Sequence, residues 1–176
     1  SNVTSLREAI VDKGIPVLAT SSTCTFTLRD EYPHLLDVDN TGLREHIELA
    51  TRFLWRKLDS GQTLPLGKLP LKVVYHTPCH MEKMGWSLYT LELLRLIPGL
   101  ELTVLDSRCC GIAGTYGFKR ENYETSQAIG APLFRQIEES GADIVVTDCE
   151  TCKWQIEMST SKRCEHPISL LAKALG

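Results

Sequence analysis

Hydrophobic positions along the chain alternate between two patterns, the short continuous runs of buried strands and the three-to-four-residue spacing of amphipathic helices. The continuous runs predict strands over residues 16–20, 71–76, 101–106 and 143–147. The helical spacing predicts helices over residues 5–13, 42–58, 83–97, 122–140, 150–160 and 167–175, and another through Phe26 and Leu28 to Pro33. Crossovers between strands that alternate with helices are right-handed and place parallel strands side by side. The pattern therefore predicts an α/β fold with a mostly parallel sheet flanked by helices.

Local signals refine this prediction. The strongest amphipathic pattern lies in residues 42–58, and we expect Asn40 or Thr41 to cap that helix. The apolar positions on its one face are Leu43, Ile47, Ala50, Leu54 and Leu58. Residues 59–70 are rich in glycine and proline, which predicts a linker. Pro132 is expected to kink or divide its helix, because proline removes an interior hydrogen bond.

A short internal similarity indicates a repeat. Residues 16–24 (PVLATSSTC) resemble residues 144–152 (IVVTDCETC), and each segment follows a helical stretch that ends in glycine. The matched pairs are Ser21 with Cys149 and Cys24 with Cys152. We therefore expect two parts. Residues 1–68 would hold the tail of a first repeat with the amphipathic helix and the linker, and residues 69–176 a complete second repeat.

Composition and charge narrow the class of function. The chain has 176 residues, of which 43% are hydrophobic and 23% charged, as is typical of a globular domain with a real core. A net charge of −3 without a basic block gives no reason to expect nucleic acid as a partner. No apolar run is long enough to span a bilayer. In a reducing compartment, seven cysteines favour metal binding or catalysis over a disulfide framework, and their odd number agrees with this.

Five of the seven cysteines follow predicted strands. They are Cys79 after residues 71–76, Cys109 and Cys110 after residues 101–106, and Cys149 and Cys152 after residues 143–147. The carboxyl ends of parallel strands share one edge of a sheet, and open α/β folds bind their ligands at that edge. The predicted topology therefore brings three cysteine groups, distant in sequence, to one crevice.

The chemistry of these five side chains indicates a metal site. Thiolates are the usual protein ligands of iron–sulfur clusters and common ligands of zinc. Cys149 and Cys152 lie at a helix start, where the helix dipole stabilises thiolate charge. The neighbours Cys109 and Cys110 fit poorly around one tetrahedral ion but can reach different irons of a cluster, and five thiolates exceed the four that zinc accepts. The glycines of residues 109–117 let the backbone approach a cofactor closely.

Two other interpretations of the cysteines remain. One is a structural zinc-binding domain that mediates subunit assembly, which would hold zinc tightly without visible charge-transfer absorption. The other is a thiol–disulfide enzyme that uses Cys149 and Cys152 and works without metal. Such an enzyme has no use for the adjacent pair Cys109 and Cys110. No nucleophile–base pair or pair of carboxylates is apparent, so no acid/base catalyst is assigned.

The cysteine spacing resembles a known family. The pattern Cys79-x29-Cys109-Cys110-Gly111-x37-Cys149-x2-Cys152 is similar to the cysteine-rich CCG domain of the heterodisulfide reductases and related respiratory proteins. The segments that carry the likeness are TSSTCTFTLRDEYPHLL (20–36), HTPCHMEKMGW (76–86), CCGIAGTYGFK (109–119) and TDCETCKWQIEMST (147–160). The resemblance implies that the five cysteines bind a 4Fe-4S cluster, which is noncubane in heterodisulfide reductase, whereas some relatives place zinc in this site.

The resemblance also implies a wider context. Related subunits have a ferredoxin-like part with two 4Fe-4S clusters before two CCG repeats, so this chain resembles a C-terminal fragment in which Ser21 replaces a first-repeat cysteine. Such subunits accept electrons from flavin-containing catalytic subunits of a quinone-linked dehydrogenase and pass them to the membrane quinone pool during anaerobic respiration. The implied protein is an electron-transfer subunit, cytoplasmic and peripheral on the inner face of the cytoplasmic membrane. We expect no catalytic activity from this part alone.

Four further residues carry side chains capable of metal chemistry. One interpretation of His80, which follows Cys79, is a metal ligand or a partner of a cluster sulfur, but we expect it to cap a helix or face solvent. For His76 one interpretation is a side chain directed at the same crevice, but we expect a hydrogen-bonded structural residue. Cys164 is predicted to be a buried hydrophobic residue, and Cys24 a free thiol. None of them is included in the predicted ligand set.

Overall fold

Parallel β-sheets covered by helices form the framework of the protein. The structure, a computed structural model, describes residues 2–176, so that Ser1 of the predicted first part lies outside the described residues. The strands are β1 (Val17–Ala19), β2 (Ile47–Leu49), β3 (Lys72–Tyr75), β4 (Glu101–Val104), β5 (Ile144–Val146) and β6 (Cys164–Glu165). One sheet has the order β4-β3-β5-β6 and the other pairs β1 with β2, and each described strand pair is parallel. The predicted α/β class with a mostly parallel sheet is confirmed.

Helices follow the strands along the chain. They are α1 (Asn2–Arg7), α2 (Ser22–Phe26), α3 (Tyr32–Leu36), α4 (Ala50–Asp59), α5 (Cys79–Met84), α6 (Ser87–Arg95), α7 (Tyr123–Glu139), α8 (Glu150–Ser159) and α9 (Pro167–Leu175). The predicted helix over residues 83–97 begins at Ser87, because Gly85 takes a left-handed backbone (φ 67°) that ends α5. Within the described residues, no helix combines the length and the apolar character needed to cross a membrane.

The larger sheet carries apolar side chains on both faces. In β3, Val73 and Tyr75 pack into one cluster with residues of α6 and α9, whereas Val74 packs into another with residues of α7 and α8. This division follows from the alternation of side chains along a strand. A strand buried on both faces has a continuous apolar run, which is why the sequence pattern located it.

The predicted helix over residues 42–58 is wrong in its first half. Residues Ile47–Leu49 are a strand, and only from Ala50 onward is the segment an α-helix. The strand forms because Ile47–Leu49 pairs in parallel with Val17–Ala19, in a register that places Val17 opposite Ile47. Apolar residues two apart suit a buried strand as well as a helix face, and the pairing strand lies some thirty residues away.

One other local expectation fails, and a second fails in part, because Pro132 does not divide its helix. The side chain of Asn40 caps no helix, and instead its amide donates to the carbonyl oxygens of Leu28 (3.0 Å) and Arg29 (2.9 Å). Helix α7 runs through Pro132 without a break. One missing backbone hydrogen bond is tolerated there because the face of α7 that includes Leu133 is packed in the core, and packing supplies most helical stability in proteins.

A buried polar network lies under the carboxyl edge of the large sheet. The Tyr75 hydroxyl donates to Asp148 Oδ2 at 2.5 Å, and Thr90 Oγ1 lies 3.1 Å from Asp148 Oδ1 and 2.9 Å from Thr51 Oγ1. Burial raises the pKa of Asp148 to about 6, although the hydrogen bond from Tyr75 opposes this shift. The backbone N–H of Ser22 donates to the carbonyl oxygen of Asp148 (2.8 Å), so the network joins both parts of the chain.

Replacing Tyr75 with phenylalanine is expected to lower the free energy of unfolding by about 1–3 kcal/mol, because Asp148 loses a buried donor. Urea denaturation at neutral pH measures this change. The matched control is Tyr123→Phe, since Tyr123 is 46% exposed and its loss of a hydroxyl should change stability by less than about 0.5 kcal/mol. Equal effects of the two substitutions would contradict a stabilising role of the network.

Candidate metal centre

A cavity of about 120 Å³ lies at the carboxyl edge of the large sheet. Its sulfur-bearing wall consists of Cys79, Cys109, Cys110, Cys149 and Cys152, which are the five cysteines that the sequence predicts to meet. The structure therefore brings all of them together, from three segments that each follow a different strand. Cys79 and Cys109 are exposed at the mouth of the cavity, and the other three are buried.

Helix starts position three of the five cysteines. Cys79 is the first residue of α5, directly after the extended residue Pro78. Cys149 is the N-cap residue of α8, with an extended backbone, and Cys152 lies in the first turn of that helix. Unpaired backbone N–H groups and the helix dipole favour negative charge at such positions. The local structure is therefore suited to thiolates.

A tight loop holds Cys109 and Cys110. The loop bends at Gly111, whose backbone is left-handed (φ 87°) and whose N–H donates to Cys109 Sγ at 3.3 Å. Ser126 Oγ of α7 donates to the carbonyl oxygen of Gly111 (2.9 Å). A side chain at Gly111 would overlap the backbone of Ser126, so the loop fits against α7 only with glycine in this position.

The sulfur atoms are close but not bonded to one another. Cys110 Sγ and Cys152 Sγ are 3.2 Å apart, well beyond the roughly 2.05 Å of a disulfide. All seven cysteines of the chain are free thiols. Thr151 Oγ1 lies 3.2 Å from Cys149 Sγ, which supplies a further hydrogen-bonding contact to that sulfur.

Hydrogen bonding within the cavity wall favours the thiolate form of two of the five cysteines at neutral pH, Cys110 and Cys149. The hydrogen bond from Cys152 lowers the pKa of Cys149 to about 5, and that from Thr151 acts in the same direction. The hydrogen bond from Cys109, together with that from Cys152, lowers the pKa of Cys110. In return, the pKa values of the two donors, Cys109 and Cys152, are raised. Burial also raises the pKa of Cys79, so the favoured thiolates are those of Cys110 and Cys149, and their negative charge attracts a cation.

The N-terminal part of the chain closes one side of the cavity. Thr23, the second residue of α2, lines it, and its Oγ1 lies 3.5 Å from Cys149 Sγ. His80 Nδ1 lies 3.0 Å from the same hydroxyl, and the His80 ring stacks on Phe26 with 4.9 Å between the ring centroids. The expectation that His80 caps a helix or faces solvent is therefore wrong. No motif in the sequence points to Thr23, although it lies inside the segment that resembles residues 144–152.

The remaining candidates differ in outcome. Cys24 is an exposed free thiol outside the cavity wall, and Cys164 is buried in β6, as predicted for both. His76 was expected to be hydrogen-bonded, but neither of its ring nitrogens has a partner among the described residues. Ser21 precedes α2 as Cys149 precedes α8, both with extended backbone, which agrees with the pairing of these residues in the internal similarity.

The donor set and the space fit a sulfur-ligated metal group larger than one ion. Five thiol sulfurs face one cavity, whereas zinc accepts four ligands. The cavity volume of about 120 Å³ is several times the roughly 15 Å³ that a single water molecule needs. The unpartnered nitrogens of buried His76 add polar atoms to its wall.

Comparison with known proteins agrees with this site. The chain is 85% identical over all 176 residues to the C subunit of the anaerobic glycerol-3-phosphate dehydrogenase of Escherichia coli K12, and spans 44% of that protein. The aligned residues include the four segments that carry the family likeness. The chain is also 32% identical over 146 residues to lactate utilization protein A of Bacillus subtilis, covering 76% of the chain and 58% of the relative.

A third relative is an uncharacterized iron–sulfur protein of Methanocaldococcus jannaschii, 32% identical over 96 residues, which are 53% of the chain and 19% of that protein. The chain thus spans less than half the length of the Escherichia coli relative and part of each of the others. Residues 73–157 match the cysteine-rich domain CCG, and they contain all five cysteines of the cavity wall. The likeness to the CCG family of cysteine-rich domains therefore lies in residues 73–157, the part of the chain that holds the cavity.

Proposed function

We propose that the chain is an electron-transfer part of an anaerobic glycerol-3-phosphate dehydrogenase, with Cys79, Cys109, Cys110, Cys149 and Cys152 as ligands of an iron–sulfur cluster. The observation that carries the proposal is the convergence of these five sulfurs, from three strand ends, on one cavity. The identity to the C subunit of that enzyme supports the physiological role. The proposed cluster is of the 4Fe-4S type, and the resemblance to heterodisulfide reductase implies a noncubane form.

When bound, such a cluster takes up and releases electrons. The chain supplies thiolates that bind it and the Gly111 N–H beside Cys109 Sγ, and ligands and hydrogen bonds of this kind set a reduction potential. The buried walls around Cys110 and Cys152 exclude water from the inner side. Because Cys79 and Cys109 lie at the exposed mouth, a redox partner can approach that side closely.

The partners in this proposal are the flavin-containing catalytic subunits of the dehydrogenase, with the membrane quinone pool as the indirect electron acceptor. The chain would act on the inner face of the cytoplasmic membrane as a peripheral protein. Residues 69–176 would form one complete CCG repeat, and residues 1–68 the tail of another with the α4 helix and linker. The contact of Thr23 with Cys149 supports this arrangement, because it places a residue of the first part in the cavity of the second.

A second candidate is a structural zinc domain that assists subunit assembly. A His76 ring nitrogen, Cys110 Sγ and Cys152 Sγ lie no farther than 4.8 Å from one another, which is compatible with three ligands of a single ion. This candidate uses only part of the sulfur donor set. It would leave Cys79 and Cys109 without a role at the mouth of the cavity.

Elemental analysis after anaerobic purification and reconstitution distinguishes the two functions. The proposal predicts about four irons and a matching amount of acid-labile sulfide per chain, with visible absorption that bleaches on reduction. One tightly bound zinc per chain without iron uptake would instead establish the structural zinc domain. Reconstitution with iron, sulfide and zinc present together compares the two outcomes in one experiment.

A further inference from the structure

The ring of the buried residue His76 makes no hydrogen bond that would explain its place in the fold. His76 is 1% exposed, and neither Nδ1 nor Nε2 has a hydrogen-bond partner among the described residues. Nearly all buried polar side chains in proteins are hydrogen-bonded, because an unpaired buried polar group costs free energy. The backbone N–H of His76 donates to the carbonyl oxygen of Val146 (2.9 Å), which ties the residue to the end of β5. Its ring is therefore held in the cavity wall with unused hydrogen-bonding capacity, and its one polar influence there among the described residues is on Cys110, whose pKa it helps to lower.

The unused nitrogens of His76 lie beside the cysteines of the metal cavity. His76 is part of the cavity wall, and one ring nitrogen lies within 4.8 Å of both Cys110 Sγ and Cys152 Sγ. Other polar groups of the wall are already engaged, since His80 and Thr23 contact each other. A sulfur-containing group bound between the cysteines would come within reach of the His76 ring.

We propose that His76 is a positioning residue that donates an N–H hydrogen bond to a sulfur of the bound iron–sulfur cluster and thereby raises its reduction potential. The inference rests on the proposed function and assigns a role to a residue outside the cysteine set. The reduced cluster carries one more negative charge than the oxidised cluster, so a donor directed at a sulfur stabilises the reduced form more strongly. His76 is a donor and not an iron ligand in this arrangement.

The test compares His76→Leu, which removes the donor, with His76→Gln, which keeps an N–H donor of similar reach. The reconstituted Leu variant should hold the same iron and sulfide as wild type but be about tenfold harder to reduce, a shift of ~59 mV for a one-electron couple. The Gln variant should recover part of this shift. His46→Leu is the matched control, because His46 is exposed and outside the cavity wall, and its midpoint potential should equal that of wild type.

Pulsed EPR of the reduced wild-type cluster, with isotopically labelled histidine, gives a readout that does not depend on any variant folding. A weak nitrogen coupling supports the hydrogen bond. A strong coupling, typical of a ligating nitrogen, would overturn it, as would an unchanged potential in the Leu variant. Iron and sulfide in the wild type are measured first: their absence would overturn the proposed function, whereas a loaded wild type with no His76 effect would overturn this inference alone.

Discussion

Replacing Cys109 and Cys110 together with serine is expected to reduce bound iron from about four per chain to nearly none after anaerobic reconstitution. The double substitution removes two of the five sulfurs that face the cavity, and a serine hydroxyl stays protonated where a thiolate would bind iron. The visible absorption of the cluster should disappear in parallel. Iron and acid-labile sulfide assays on wild type and variant, prepared side by side, measure the effect.

Two controls make this result specific. Cys24→Ser should keep the iron content of wild type, because Cys24 is exposed and does not line the cavity. Because Cys110 is buried, circular dichroism must establish that the double variant is folded. Cys79→Ser repeats the iron assay at an exposed position, where the substitution disturbs the packing of the core less. Full iron retention in the folded double variant would contradict the proposed ligand set.

Substituting alanine for Gly111 is expected to lower the free energy of unfolding by about 2–5 kcal/mol, the sum of backbone strain and overpacking. The left-handed backbone at Gly111 (φ 87°) disfavours any side chain, and a Cβ there would overlap the backbone carbonyl of Ser126 in α7. A loss of this size is a large share of the roughly 5–15 kcal/mol that stabilises a typical domain. Urea denaturation measures it, and iron uptake should fall with it, since the strained loop carries Cys109 and Cys110.

Gly114 provides a matched control in the same loop. Its backbone is also left-handed (φ 66°), but a Cβ there would meet nothing within 4 Å. Gly114→Ala should therefore cost only about 1–2 kcal/mol, from backbone strain alone. If both substitutions cost the same, the contact between the Gly111 loop and α7 is not as tight as the structure indicates.

Much of the candidate site was predictable because the relevant signal is local. Each cysteine group follows a short apolar run, and such runs identify strands buried on both faces. Once the strands are taken as parallel, their carboxyl ends must share an edge, so Cys79, Cys110 and Cys152 are expected to meet without any knowledge of their contacts. Their convergence is confirmed, while their role as ligands stays a prediction.

Other features were not predictable because they depend on partners distant in the chain. Residues Ile47–Leu49 have apolar positions that suit a helix as well as a strand, and only pairing with Val17–Ala19 selects the strand. Thr23 enters the cavity wall through the packing of α2 against α5. No spacing rule predicts such a contact, although Thr23 lies in a segment that resembles residues 144–152.

The sequence by itself determined the α/β class, the order of most strands and helices, and the presence of five cysteines at strand ends. These follow from hydrophobic periodicity and from glycine and proline signals, which act between near neighbours in the chain. Only the tertiary structure decided that His76 is buried beside the cysteines without a hydrogen-bond partner, and that Gly111 lies against Ser126. Tertiary packing sets which side chains are buried, where they point and how far apart atoms of remote segments lie. Local sequence patterns do not predict these quantities, because they depend on the complete fold.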